Sequence, residues 1–162
     1  MAPDAAPGRR SGVQTMDLPP APDVAGISLS STVRLSISAE ENAALCRSTG
    51  VEPDPQGFAH PIYYFIATQV GMGKTVAGLC EACEFDINDG PMMGTSAVTF
   101  SAPIRTGQPY GVTGRILSLT RKLSRKLGVM DLLEYELQLC PPDGEPVLTT
   151  INSWVLPRRN LA

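Results

Sequence analysis

The one histidine of the chain, His60, stands directly before Pro61. Imidazole is the side chain best suited to moving protons near neutral pH, so His60 is the first candidate for a catalytic role. Its structural use would be to cap or pack against a helix start. Asp86 and Asp89 flank Asn88 and are weaker candidates for a catalytic base. Residues of this kind in a solvated turn also serve the local backbone. Arg121, Lys122, Arg125 and Lys126 place four cations within six residues. Such a run forms a solvated face or gathers the phosphates of a ligand.

Other chemistries are excluded by spacing. Cys80 and Cys83 form a C-x-x-C, but no second pair follows, and Cys46 and Cys140 are isolated. A structural zinc would require four convergent ligands, which one histidine does not complete. The cysteines read as reduced core residues, and no metal is expected. Residues 71–75, Gly-Met-Gly-Lys-Thr, tempt comparison with a phosphate-binding loop. That motif needs a glycine five residues before the Gly-Lys pair, and Thr68 stands there.

These residues must be carried by one domain. The chain has 162 residues, 43% of them apolar, with a net charge of −3. That balance argues against nucleic acid as a partner. The first residues lack the apolar core of a secretory signal, and no run approaches the ~20 apolar residues of a spanning helix. A cytoplasmic protein with no membrane partner is expected.

Residues 1–26 are rich in Pro, Ala, Gly and Asp without periodicity, so a disordered tail is expected there. Residues 27–162 would form the single domain. Val33, Leu35 and Ile37 alternate with polar residues as in a strand. Ser38 with Glu41 three residues on forms a capping box, predicting a short helix to about Arg47. Residues 51–57 hold Pro53, Pro55 and Gly57 and form a loop.

Residues 61–84 are the main helix candidate, opened by Pro61 and apolar on several sides. Gly71, Gly73 and Gly78 weaken it and leave room for a break near 71–73. After residues 88–91, Asn-Asp-Gly-Pro, strands follow at 97–102, 110–124, 131–139 and 147–156. The alternation of Leu133, Tyr135, Leu137 and Leu139 is the clearest of these signals. Trp154 in the last strand reads as core or interface. One long helix followed by a strand meander is an α+β layout, satisfied by an antiparallel sheet curling around that helix.

Residues 58–61 (Phe-Ala-His-Pro), the long helix, residues 89–94 (Asp-Gly-Pro-Met-Met-Gly) and the strands of 121–139 together resemble the MaoC-like hot-dog superfamily. The nearest likeness is to its FAS1-like dehydratase and (R)-specific enoyl-CoA hydratase half-domains, over roughly residues 33–159. The resemblance implies a hot-dog fold acting on 3-hydroxyacyl or 2-enoyl thioesters of coenzyme A or acyl carrier protein. In the catalytic half of that family a Gly-Asp-x-Asn-Pro-x-His string supplies the proton-transfer pair. A backbone amide at the start of the central helix polarises the thioester carbonyl.

Here the corresponding residues 48–55 read Ser-Thr-Gly-Val-Glu-Pro-Asp-Pro. Gly50 matches, Val51 stands in place of the aspartate, and no histidine follows before His60. The resemblance therefore implies a subunit without the usual dyad, partnered by a MaoC-like catalytic chain or by a second copy of itself. No cofactor is implied. Arg121, Lys122, Arg125 and Lys126 become candidates for the phosphates of coenzyme A or phosphopantetheine. Two alternatives stand beside this reading. One is a self-sufficient homodimeric thioesterase using His60, Asp86 or Asp89. The other is a module that binds acyl thioesters or carrier protein without chemistry.

Overall fold

In the computed structural model, which describes residues 18–161, Ser38 opens the first helix as its capping pattern requires. Its hydroxyl accepts the Glu41 amide at 3.0 Å, and helix α1 runs over Ala39–Ser48. Before it lies a short strand, β1 (Arg34–Ser36). Four longer strands follow the helices: β2 (Met92–Phe100), β3 (Pro109–Ser124), β4 (Gly128–Cys140) and β5 (Leu148–Pro157). They form one antiparallel sheet in the order β1-β3-β4-β5-β2.

The alternation in β4 sets the inner face. Leu133, Tyr135, Leu137 and Leu139 are fully buried, while Glu134 between them is exposed. Across the sheet, Trp154 of β5 pairs with Leu133 and meets the Tyr135 ring edge-on at 6.0 Å. Register shifts at Met93/Thr95 and Ile116/Ser118 increase the local twist and help the sheet curl.

The helix expected over residues 61–84 is broken in two: α2 (Tyr63–Gly71) and α3 (Val76–Ala82). The break has a steric cause. A Cβ on Gly73 would overlap the Ser30 carbonyl oxygen, and the Gly73 amide donates to the Leu29 carbonyl at 2.8 Å. The chain at 29–30 thus occupies the space of a continued helix, and Met72 turns extended. Thr75 then caps α3 through the Gly78 amide at 3.1 Å. Helix α2 packs against the inner face, where the Tyr135 hydroxyl donates to Gln69 Oε1 at 3.0 Å.

Part of the tail expected over residues 1–26 is packed against the domain. Residues 1–17 fall outside the described part, but Val24 is 3% exposed and sits in the core. Beyond it the backbone runs beside β3: Gly26 N donates to Ile116 O, Leu29 N to Gly114 O and Ser31 N to Val112 O. The strand expected over residues 27–37 is reduced to β1 and a bridge at Ser28, and Val33 lies exposed. This segment covers the outer edge of β3. The edge of β2, nine residues long, remains uncovered among the described residues, with Met92, Met93 and Phe100 exposed.

Candidate functional site

Asn42, on α1, builds the site. It is 3% exposed, and its Oδ1 accepts the His60 amide at 2.7 Å while its Nδ2 donates to the Phe58 carbonyl at 3.5 Å. A buried side-chain amide thereby fixes the backbone on both sides of Ala59. From the other side, the Ala59 amide donates to Ile104 O, and the Thr106 amide and hydroxyl both reach Gly57 O. Gly57 takes a φ of +79°, which favours glycine at this corner. Asp54 shapes the preceding loop by accepting the Gln56 amide at 2.7 Å.

The loop so held walls a cavity of about 720 Å³. Val51, Phe58, Phe100 and Ile104 give it apolar walls, and Glu52, Asp54 and His60 supply polar groups. The size and lining suit a small organic ligand. Arg105 lies over the Phe58 ring at 4.6 Å from its centroid, a cation–π contact with one wall residue.

His60 lies at this cavity and accepts the Ile62 amide through Nδ1 at 3.2 Å. Pro61 has no amide to offer, so Ile62 carries the first donor after it. Glu52 and Asp54 share the cavity with His60, yet no ion pair joins either carboxylate to the imidazole.

Asp86 and Asp89 are not brought to His60. They line a separate cavity of about 290 Å³ with Glu84, Phe85, Arg158 and Asn160. Asp86 Oδ1 accepts the Asn88 amide and side chain at 2.9 and 2.8 Å, capping the short 3-10 turn Ile87–Asp89. Asp86 thus serves the backbone.

The basic run lies at the other end of the sheet from His60. Segment 57–59 is tied to residues 104–106, just before β3 begins, whereas residues 122–126 form the far tip of the β3–β4 hairpin. At ~3.3 Å per residue, the strand between Gly111 and Ser124 covers roughly 40 Å. Lys122, Arg125 and Lys126 are exposed there. Arg121 is not free for a phosphate. Its Nε and Nη2 donate to Asp131 at 2.8 and 3.0 Å, and Nη1 donates to the carbonyls of Pro19 and Pro20.

Asp131 is fully buried and serves two arginines. Arg158 Nε donates to its Oδ2 at 2.7 Å, and the other arms of Arg158 reach the carbonyls of Cys83 and Glu84 beyond α3. Burial by itself would raise the Asp131 pKa. The hydrogen bonds from Arg121 and Arg158 outweigh it and hold the carboxyl below its ordinary value.

Sequence reasoning singled out neither Asn42, Asp131 nor Arg158. For Asp131 a signal existed: it shares the inward phase of Leu133 through Leu139, where an unpaired charge is not tolerated. Asn42 gave no such signal, because its partners are backbone atoms 16 and 18 residues away. Cys46, Cys80 and Cys83 are buried free thiols, and burial pushes Cys83 up to about 11. A thiol so raised is a poor nucleophile. Among the described residues no cluster of side chains could hold a metal. None of the helices described is long and apolar enough to cross a membrane.

Neither a protein-family model nor a curated protein matches the sequence. Solved structures match it in shape. The C-terminally truncated HadBC complex of Mycobacterium tuberculosis, a (3R)-hydroxyacyl-ACP dehydratase, matches with a TM-score of 0.63 at 13% identity. The match covers 83% of this chain and 98% of that one. A MaoC-like dehydratase from Rhodospirillum rubrum matches at 0.58 and 16% identity, over 83% and 93% of the two chains.

The fold is the hot-dog fold.

Its solved neighbours include MaoC-like dehydratases, in line with the resemblance read from residues 58–61 and 89–94. A hypothetical thioesterase from Streptococcus pneumoniae is also similar, with a TM-score of 0.52 at 9% identity over 84% and 87% of the two chains. At such identities the likeness is one of fold, and the hot-dog scaffold accommodates both kinds of neighbour.

Proposed function

We propose that this hot-dog chain is one subunit of a two-chain enzyme that hydrates 2-enoyl thioesters or dehydrates 3-hydroxyacyl thioesters. The observation that carries this reading is the cavity at residues 51–61. It is mostly apolar and of ligand size, yet Val51 stands where the resembled string has its aspartate, and neither carboxylate at the cavity pairs with His60. The chain would hold and orient an acyl thioester of coenzyme A or acyl carrier protein. A partner hot-dog chain would bring the proton-transfer pair. The uncovered β2 edge, with Met92, Met93 and Phe100 exposed along it, is where a second sheet would add. A HadBC complex of two chains on this fold is consistent with that arrangement.

The test is co-expression with a hot-dog chain carrying Gly-Asp-x-Asn-Pro-x-His. Co-purification, together with hydration of crotonyl-CoA above the level of either chain alone, is the expected result. If the two chains neither associate nor change each other's activity, the reading is lost.

A second reading is favoured by one observation, the shared location of Asp54, Glu52 and His60 at the cavity. The chain would then act alone, as a homodimeric hydratase or thioesterase. Purified protein that turns over acyl-CoA, and loses that activity in Asp54→Asn, would support it. Ligand binding without turnover in any combination of chains would instead indicate a pure binding module.

A further inference from the structure

The amides at the leading end of α2 are all engaged. The Ala59 amide donates to Ile104 O and the His60 amide to Asn42 Oδ1. Pro61 has none. The Ile62 amide donates to His60 Nδ1, that of Tyr63 to His60 O, and that of Tyr64 to Pro61 O. A helix start normally leaves free N–H groups that can hold an anion or a carbonyl oxygen. Here residues 59–64 have none to spare.

One donor remains at the same end. An imidazole nitrogen that accepts an N–H carries no proton, so Nδ1 is bare. In the neutral ring the proton is then on Nε2, on the opposite edge from the helix. Among the described residues no group accepts from Nε2, and His60 lines the cavity. The ring is thus fixed as an N–H donor by the helix it caps.

We infer that His60 serves this cavity as a hydrogen-bond donor to a ligand carbonyl oxygen, through Nε2–H, and not as a base. It takes over the task that a free helix-start amide would otherwise perform. The inference deepens the proposed function and rests on it for the identity of the carbonyl, that of an acyl thioester. Asn42 and Ile62 act as positioning groups: one fixes the His60 backbone and the other fixes its ring. No bond is made or broken in this role. The donor polarises the carbonyl and orients the ligand.

The test begins with the free protein. Its single histidine gives one imidazole in a long-range proton–nitrogen NMR spectrum. The Nε2–H tautomer is expected, and a proton on Nδ1 would overturn the inference whatever the protein's function. Binding of two probes to the purified chain follows by calorimetry. One is hexanoyl-dethia-coenzyme A, a ketone with CH₂ in place of sulfur. The other is S-hexyl-coenzyme A, which lacks the carbonyl.

The variant is His60→Asn. Its side-chain oxygen still accepts the amide two residues on, as asparagine does in turns, but it has no donor at the Nε2 position. The ketone should lose roughly threefold to tenfold in affinity, the scale of one neutral hydrogen bond. The thioether should change less than twofold. Equal losses for both probes would refute the donor role and leave the thioester reading standing. No binding of either probe to the wild-type chain would overturn the thioester reading and this inference with it.

Discussion

Asp131→Asn should be among the most damaging conservative substitutions in this protein. It preserves shape and removes one charge at a position with no solvent exposure. Two guanidiniums then lose their counter-ion. Their side chains are 10% exposed for Arg121 and 7% for Arg158, so water recovers little of the loss. Removing one partner from a buried pair costs about 3–5 kcal/mol. That is about a fifth or more of a total stability of about 5–15 kcal/mol. With a urea slope of roughly 2 kcal/mol per molar, the unfolding midpoint should fall by about 2 M.

The same group predicts a pH dependence. Its folded-state pKa lies below the unfolded value of about 3.9. The stability it adds is therefore complete above the ordinary carboxylate range and lost as pH falls through the lowered value. The wild-type protein should lose stability below about pH 4 more steeply than the variant, which has no carboxylate at this position to titrate. Replacing all three charges, as Asp131→Leu with Arg121→Met and Arg158→Met, should recover part of the deficit, because an apolar cluster tolerates burial. Recovery would be incomplete, since the carbonyls of Cys83 and Glu84 lose their donor. A midpoint within about 0.3 M of wild type for Asp131→Asn at neutral pH would show that the two arginines do not depend on it, and the reasoning would fail.

Gly73→Ala places a methyl group against the Ser30 carbonyl and should cost about 1–3 kcal/mol, read as a lowered Tm, whereas an exposed glycine-to-alanine change in a regular helix would stabilise. Asn42→Ala removes both side-chain contacts to the 58–60 backbone, so amide exchange at His60 should rise with a stability loss of about 1–3 kcal/mol, and unchanged exchange would refute the clamp. Arg158→Met should destabilise more than Arg121→Met in thermal melts, because the two carbonyls that Arg158 serves beside α3 are shielded from water, whereas those that Arg121 serves at Pro19 and Pro20 are exposed. With a disulfide-exchange reagent at mild alkaline pH, Cys140 should react first and Cys83 only on unfolding. Cys140 is the one cysteine not buried, and Cys83 is pushed up to about 11.

The parts legible in the sequence were those governed by local periodicity. Leu133 through Leu139 declared their buried face, and Ser38 declared the first helix, because neighbours in sequence decide both. The break in the central helix was only half legible. Gly71 and Gly73 showed a weakness, but not that the segment at Ser30 fills the gap. The packing of residues 24–26 is illegible for the same reason. Val24 and Gly26 lack periodicity, yet Val24 packs into the core and the Gly26 amide bonds to Ile116 O of β3, which no local pattern announces. The cavity was illegible because its walls, residues 51–61 and 100–104, meet only through long-range bonds such as Ala59 to Ile104.

The separation of the two ends of the sheet constrains how the proposed enzyme would be assembled. Within one chain, the exposed cations Lys122, Arg125 and Lys126 stand roughly 40 Å along β3 from the loop that carries His60. A coenzyme A phosphate beside them could not belong to a thioester lying at that chain's own cavity. An antiparallel partner changes this. If a second sheet pairs along β2, the Met92 end of one chain lies beside the Phe100 end of the other, because antiparallel strands run in opposite senses. Phe100 lines the cavity, and Met92 lies toward the hairpin-tip end, where β5 closes against Met130. The basic tip of one subunit would then lie toward the cavity of the other. On this geometry Lys122→Ala, Arg125→Ala and Lys126→Ala, made together, should leave ligand binding by an isolated chain unchanged. They should weaken it only in the assembled pair. An equal loss in both states would mean that the tip serves its own chain, contrary to the register of β3.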